Sequence, residues 1–177
     1  MLLKVATVLC LTVASVLAHD ESGKIKAEYL ANFDDTAKKI VSLAEAVPAE
    51  KYSYKPGEGV RTIAQVYVHI AGANMMIPGM LGAKPPADVK MSRDSEKTMT
   101  DKTQIVALLK KAMEHSRAAL ATALDTPDTA AKLFGRDSNY AGGSLLLVTH
   151  MHEHLGQSIA YARAAGVTPP WSGGRGE

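Results

Sequence analysis

The chain has 177 residues, enough for one ordinary domain or at most two very small ones. Hydrophobic residues make up 46%, so a real core can form and global disorder is excluded. Twenty Lys+Arg against 18 Asp+Glu leave a net charge of +2, and aromatics are 5%. That supplies neither the basic field nor the stacking platforms of a nucleic-acid binder.

Residues 1–18 read as a secretory signal peptide. Lys4 gives a short positive start, an apolar run follows from Val5 to Leu17, and Val16-Leu17-Ala18 matches a small-x-small cleavage site. The run is too short to span a membrane, so no stable membrane insertion is expected after cleavage. Leu9, not a small residue, precedes Cys10, which argues against lipidation. The mature chain, 19–177, then holds no cysteine, and neither a disulfide nor a cysteine-based zinc finger can form. Export to the periplasm or the medium is the expectation.

Four helical stretches follow. The first, Lys24 to Val47, repeats Leu30, Phe33, Ala37, Ile40, Ala44 and Val47 at three- and four-residue steps and ends at Pro48. A Pro56-Gly57 turn signal marks a loop. The second opens at Thr62 with Gln65 three residues on, a capping-box pattern, and should stop near Pro78-Gly79. Ile63, Val66, His69, Ala73 and Met76 are placed on its core side. Residues 82–100 read as a long connection. The third stretch, Lys102 to Leu124, carries Ile105, Leu108, Leu109 and Ala112 on one face. Residues 125–143 read as a second long connection. The fourth, Ser144 to Ala165, stops at Gly166. No alternating strand pattern of useful length appears. An all-α four-helix bundle is the simplest architecture, with connections long enough to cross over or act as a lid.

The six histidines carry the functional signal. At about 100° per residue, His150 and His154 share one face of the fourth helix and His152 points away. Two imidazoles at i and i+4 can close on one metal ion. Met151 stands where a zincin helix has its glutamate, so no zincin mechanism follows. His69, on the inward side of the second helix, can supply a third nitrogen. Glu153 and Gln157 share the face of His150 and His154 and are candidate partners for their second nitrogens. The alternative is that these histidines are hydrogen-bonded core residues. His115 reads as structural or exposed, and Met75, Met76 and Met80 as core filler.

The chain resembles the DinB-like (DinB/YfiT) superfamily of metalloenzymes over about residues 24–170. The resemblance rests on the Tyr52–Gly57 segment before the second helix, on Val66-Tyr67-Val68-His69-Ile70, on His150-xxx-His154 followed by Leu155-Gly156-Gln157, and on the closing Gly166–Pro170. It implies an up-down-down-up bundle whose 82–100 connection crosses over. It also implies one divalent metal ion, zinc or nickel, on His69, His150 and His154, and dimerisation. Family members often carry a histidine where this chain has Glu153 and an arginine where it has Leu155. The implied activities are metal-dependent hydrolysis of a small molecule and transfer or isomerisation with a low-molecular-weight thiol.

The thiol chemistry is cytosolic, which sits badly with an exported chain, so hydrolysis is preferred. No catalytic side chain beyond the metal ligands is identifiable. A metal- or small-ligand-binding protein without catalysis and a purely structural bundle remain the alternatives.

Overall fold

The structure is a computed structural model that describes residues 2–174, with side chains described from 23 to 173. The leader expected at 1–18 and the terminus expected at His19 lie outside the residues whose side chains are described. The elements are α1 (Leu2–Ala46), α2 (Ile63–Met80), α3 (Ser95–Thr98), α4 (Lys102–Ala123), β1 (Ala130–Leu133), β2 (Arg136–Asn139) and α5 (Tyr140–Ala164). Among the described residues no helix is long and apolar enough to cross a membrane.

The helices α2, α4 and α5 each begin where the sequence provides an acceptor for the first free N–H groups. Thr62 Oγ1 accepts from Gln65 N at 3.2 Å, and Gln65 Oε1 accepts from Thr62 N at 2.8 Å, completing the capping box of α2. Asp101 caps α4 through Gln104 N, and Asn139 caps α5 through Gly142 N, both at 2.8 Å. At the far end of α5, Gly166 takes φ +74° and Val167 N donates back to Ala162 O at 2.8 Å.

Hydrogen bonds between helix ends fix the directions. Lys102, at the start of α4, donates to Glu45 O and Val47 O at the end of α1, both at 2.7 Å. Lys51 reaches Ala165 O just past α5. Ile63 N and Ala64 N, opening α2, donate to Tyr54 O and Tyr52 O. So α1 and α5 end, and α2 and α4 begin, at the same end of the bundle, which makes the order up-down-down-up. Both α1 and α2 pack on α4 and α5, with little contact between α4 and α5. Because α2 and α4 are parallel neighbours, the chain between them must return along the length of the bundle. Residues 81–101 make that crossover, and α3 is a single helical turn within it.

The core is continuous through all four long helices: Phe33, Ile40 and Leu43, then Tyr67, Ile70 and Ile77, then Ile105, Leu109 and Leu120, then Leu147 and Met151.

Three readings need correction. The connection 125–143 is not structureless: β1 and β2 form an antiparallel hairpin closed by a two-residue turn at Phe134-Gly135. Its strands, Ala-Ala-Lys-Leu and Arg-Asp-Ser-Asn, have no apolar alternation to reveal them. The fourth helix starts at Tyr140 rather than Ser144, because Asn139 is its cap. Met76, placed on the core side of α2, is 48% exposed, because an open cleft runs along that part of the helix.

Candidate metal centre

His69 lies in the second turn of α2. His150 and His154 lie one turn apart in the middle of α5. As α2 and α5 pack antiparallel, the three rings meet. One ring nitrogen from each residue lies within 4.8 Å of the other two. His69 Nε2 and His150 Nε2 are 3.3 Å apart, and the ring centroids are 4.4–5.2 Å apart. Two nitrogens sharing one tetrahedral zinc at about 2.0–2.1 Å would sit roughly 3.3 Å apart.

The neighbours of the rings fix which nitrogen is free. His69 Nδ1 stands 3.2 Å from Glu96 Oε2 on α3. His154 Nδ1 stands 2.7 Å from Gln157 Oε1. With the proton assigned to Nδ1 so that it serves these acceptors, each Nε2 presents a bare lone pair to the cluster. Lone pairs converging at this range repel unless a cation lies between them. The donor set thus fits a single metal ion held by three neutral imidazoles. His150 Nδ1 is buried and has no hydrogen-bond partner.

The electrostatics favour neutral ligands. Burial, then the positive charges of His154 and His69 when protonated, push the pKa of His150 down to about 4. His69 is also held below its ordinary value, first by burial, then by Arg61 and His154, with Glu96 opposing. Burial works to raise the Glu96 carboxyl, but hydrogen bonds and charges from Arg61 and His69 win and hold it low. Arg61 Nε donates to Glu96 Oε1 at 2.7 Å, so a Arg61–Glu96–His69 chain reaches from solvent to the cluster. Gln157 is held in turn by Tyr161 Oη at 3.3 Å.

The structure brings together all three predicted ligands, His69, His150 and His154. His152 faces away: it is exposed, with Nε2 3.1 Å from Thr36 Oγ1 on α1. Of the two candidate partners, Gln157 takes the role and Glu153 does not, being exposed with its charge felt by His150 only at a distance. His115 stays outside the cluster, half-buried on α4. Glu96 and Arg61 were not foreseen. Glu96 is 27 residues beyond His69, in an irregular segment, where no helical spacing points to it.

The cluster is not sealed in the bundle interior. His154 is buried, but His69 and His150 are half-buried and line a cleft of about 710 Å³ between α2, α5 and the crossover. That leaves a ligand approach on one side, the pattern of reactive rather than closed metal sites.

A parallel crossover bundle with three inward histidines on its second and last long helices defines a class. The DinB family model matches residues 20–176, and the chain belongs to the DinB family. Among solved structures it is similar to a DinB-like protein from Bacillus cereus ATCC 10987, at 22% identity and a TM-score of 0.70, covering 80% of this chain and 93% of that one. It is similar to the DinB-like protein YjoA of Bacillus subtilis, at 23% identity and a TM-score of 0.61, covering 78% and 92%. A third is YfiT from Bacillus subtilis, described as a probable metal-dependent hydrolase with an unusual four-helix bundle topology. It shares 19% identity and a TM-score of 0.60 over 80% of this chain and 87% of that one. These likenesses carry the fold. Comparison with curated proteins finds none that matches.

Proposed function

We propose that this protein binds one divalent transition-metal ion, zinc or nickel, through His69, His150 and His154 and uses it to hydrolyse a small molecule bound in the adjoining cleft. The observation that carries this reading is the convergence of three imidazole nitrogens, with the His69 and His154 rings held from behind by Glu96 and Gln157. The description of YfiT as a probable metal-dependent hydrolase supports it.

An ion held by three neutral ligands keeps its full charge and supplies Lewis acidity and an activated water near neutral pH. The chain's own residues do the rest. Glu96 and Gln157 each hold a proton on Nδ1 and orient the rings. Arg61 keeps Glu96 ionised and in place. The apolar walls of the cleft limit water around a bound molecule, which strengthens charge interactions at its histidine end.

Export is part of the proposal and rests on Lys4, the apolar run to Leu17, and Ala18. A homodimer is the assembly we propose, on the family resemblance.

Metal analysis of purified protein tests the centre. One equivalent of zinc or nickel is expected, absent from His150→Ala and His154→Ala. A panel of ester, amide and phosphoester substrates, assayed with and without chelator, tests hydrolysis. Stoichiometric metal without chelator-sensitive turnover would refute the enzymatic reading and leave a binding protein. N-terminal sequencing of native material should begin at His19 or within a residue or two, and an intact Met1 would refute export.

A further inference from the structure

The cleft beside the histidines is chemically lopsided. Its charged side chains, Arg93 and Glu96, both come from the crossover, and Glu96 is bonded to His69, while the walls along α2 and α5 are apolar. From His69 the cleft follows α2 through Gly72 and Ala73 to Met76, seven residues and so about 10 Å along the helix axis. Leu146, one turn before His150, forms the facing wall, and Met91 of the crossover covers it. Methionine side chains adapt to irregular apolar shapes. Exposed Met76 gains nothing by standing in water.

A second, independent observation comes from the turn at the far end. Phe134 is the one non-glycine residue with positive φ among the described residues, at 50°, followed by Gly135 at 82°. Leu133 pairs with Arg136, so Phe134-Gly135 is a two-residue turn with both residues left-handed. Such turns favour Asn-Gly or Asp-Gly, because a bulky side chain is strained there. The strained residue is also 57% exposed, and its ring lines the cleft. Strain of this kind persists where a residue is needed for something other than stability.

We propose that the substrate is a molecule with an apolar body, an alkyl or aryl chain of medium length, whose hydrolysable polar head reaches the histidines, and that Phe134 is a specificity-determining residue closing over that body. The inference deepens the metal-hydrolase reading and rests on it for the head group. The body lies along Met76 and Leu146, and the ring of Phe134 gains burial only when the cleft is filled.

The probes are acetohydroxamate and octanohydroxamate, which share a metal-chelating head and differ in tail, titrated calorimetrically into zinc-loaded protein. Burying a methylene gives about a fourfold gain, so octanohydroxamate should bind at least a hundredfold more tightly than acetohydroxamate. Nile red, titrated into metal-free protein, reports the apolar cleft alone. Phe134→Asn should weaken octanohydroxamate and Nile red about fivefold to tenfold, leave acetohydroxamate and bound zinc unchanged, and raise the Tm by about 2–4 °C as the turn relaxes. Phe134→Tyr should keep wild-type binding. Equal affinities for the two hydroxamates would overturn the proposal while leaving the metal reading intact. A lower Tm with unchanged probe binding in Phe134→Asn would overturn it too, making Phe134 structural. Loss of both hydroxamates with Nile red still sensitive to Phe134 would uphold the apolar cleft and refute the metal centre instead.

Discussion

Glu96 is the sharpest point at which to test the metal centre, because removing it leaves all three ligands in place. Its carboxylate accepts from His69 Nδ1 at 3.2 Å and from Arg61 Nε at 2.7 Å. Glu96→Ala has two effects of the same sign. His69 loses the acceptor that fixes its tautomer and raises the basicity of Nε2. Arg61, with Nη2 3.4 Å from His69 Nδ1, is left uncompensated beside the place a cation must occupy. Loss of such an acceptor typically costs ten- to a hundredfold in metal affinity, or about 1.4–2.7 kcal/mol. The upper half of that range is expected, since the stranded arginine adds repulsion.

The fold should hardly notice. The Glu96 and Arg61 side chains are 31% and 39% exposed, and a pair so placed contributes at most about 1 kcal/mol to stability. The assay is competition for zinc against a chromophoric chelator at pH 7.5, with the melting temperature followed in parallel. Glu96→Gln keeps an acceptor without the charge and should fall between wild type and Glu96→Ala. Arg61→Met on the Glu96→Ala background should recover part of the loss. Zinc affinity within threefold of wild type in Glu96→Ala would refute the reasoning, as would an equal loss in a protein that has also lost its melting transition.

Three further outcomes are expected. Gln157→Leu removes the acceptor of His154 Nδ1 and should weaken zinc about tenfold in the same competition assay, whereas Tyr161→Phe, one step further out, should change it less than about threefold. His152→Ala should retain stoichiometric zinc by metal analysis and lower stability by no more than about 1.5 kcal/mol, the worth of its bond to Thr36. In the metal-free protein, the folded chain refuses the His150 proton until about pH 4, while the unfolded chain accepts it below about 6.5. Stability should therefore fall as pH drops from 6.5 toward 4 and be unaffected by His150 above 7. Melting curves in chelator should show a shallower fall for His150→Gln than for wild type, and identical slopes would refute it.

The long helices were legible from their periodic apolar residues and, at some ends, from the Thr62 capping box, Pro48 after α1 and Gly166 after α5, whereas the Asn139 cap went unread and the start of α5 was placed four residues late. The histidine cluster was legible through helical geometry, since His150 and His154 are one turn apart within one element and His69 falls on the inward side of a second. What eluded the sequence lies between elements. Glu96 reaches His69 only because α3 is folded back over α2 by the crossover. The hairpin has four-residue strands rich in Lys, Arg, Asp and Ser, and its turn carries Phe where the usual signal is Asn. Met76 follows the inward spacing of α2, but spacing cannot tell a helix face that meets a partner from one that meets a cleft.

That cleft follows from the topology. An antiparallel order would join α2 to α4 by a short turn at one end and leave the flank between α2 and α5 bare. In the parallel order found here, residues 81–101 must climb the length of the bundle, and they do so on the side where the histidines open. The same strand of chain then supplies three things at once. Glu96 holds His69 from behind, Met91 packs over Gly72 in the apolar part, and Arg93 adds a charge to the lining. The connection is held near its C-terminal end by Glu96 to Arg61 and His69, and earlier along its length by Asp88 to Lys111 on α4. A change in the crossover that shifts α3 should therefore reach the metal and the cleft together, even though no residue of the crossover is a metal ligand.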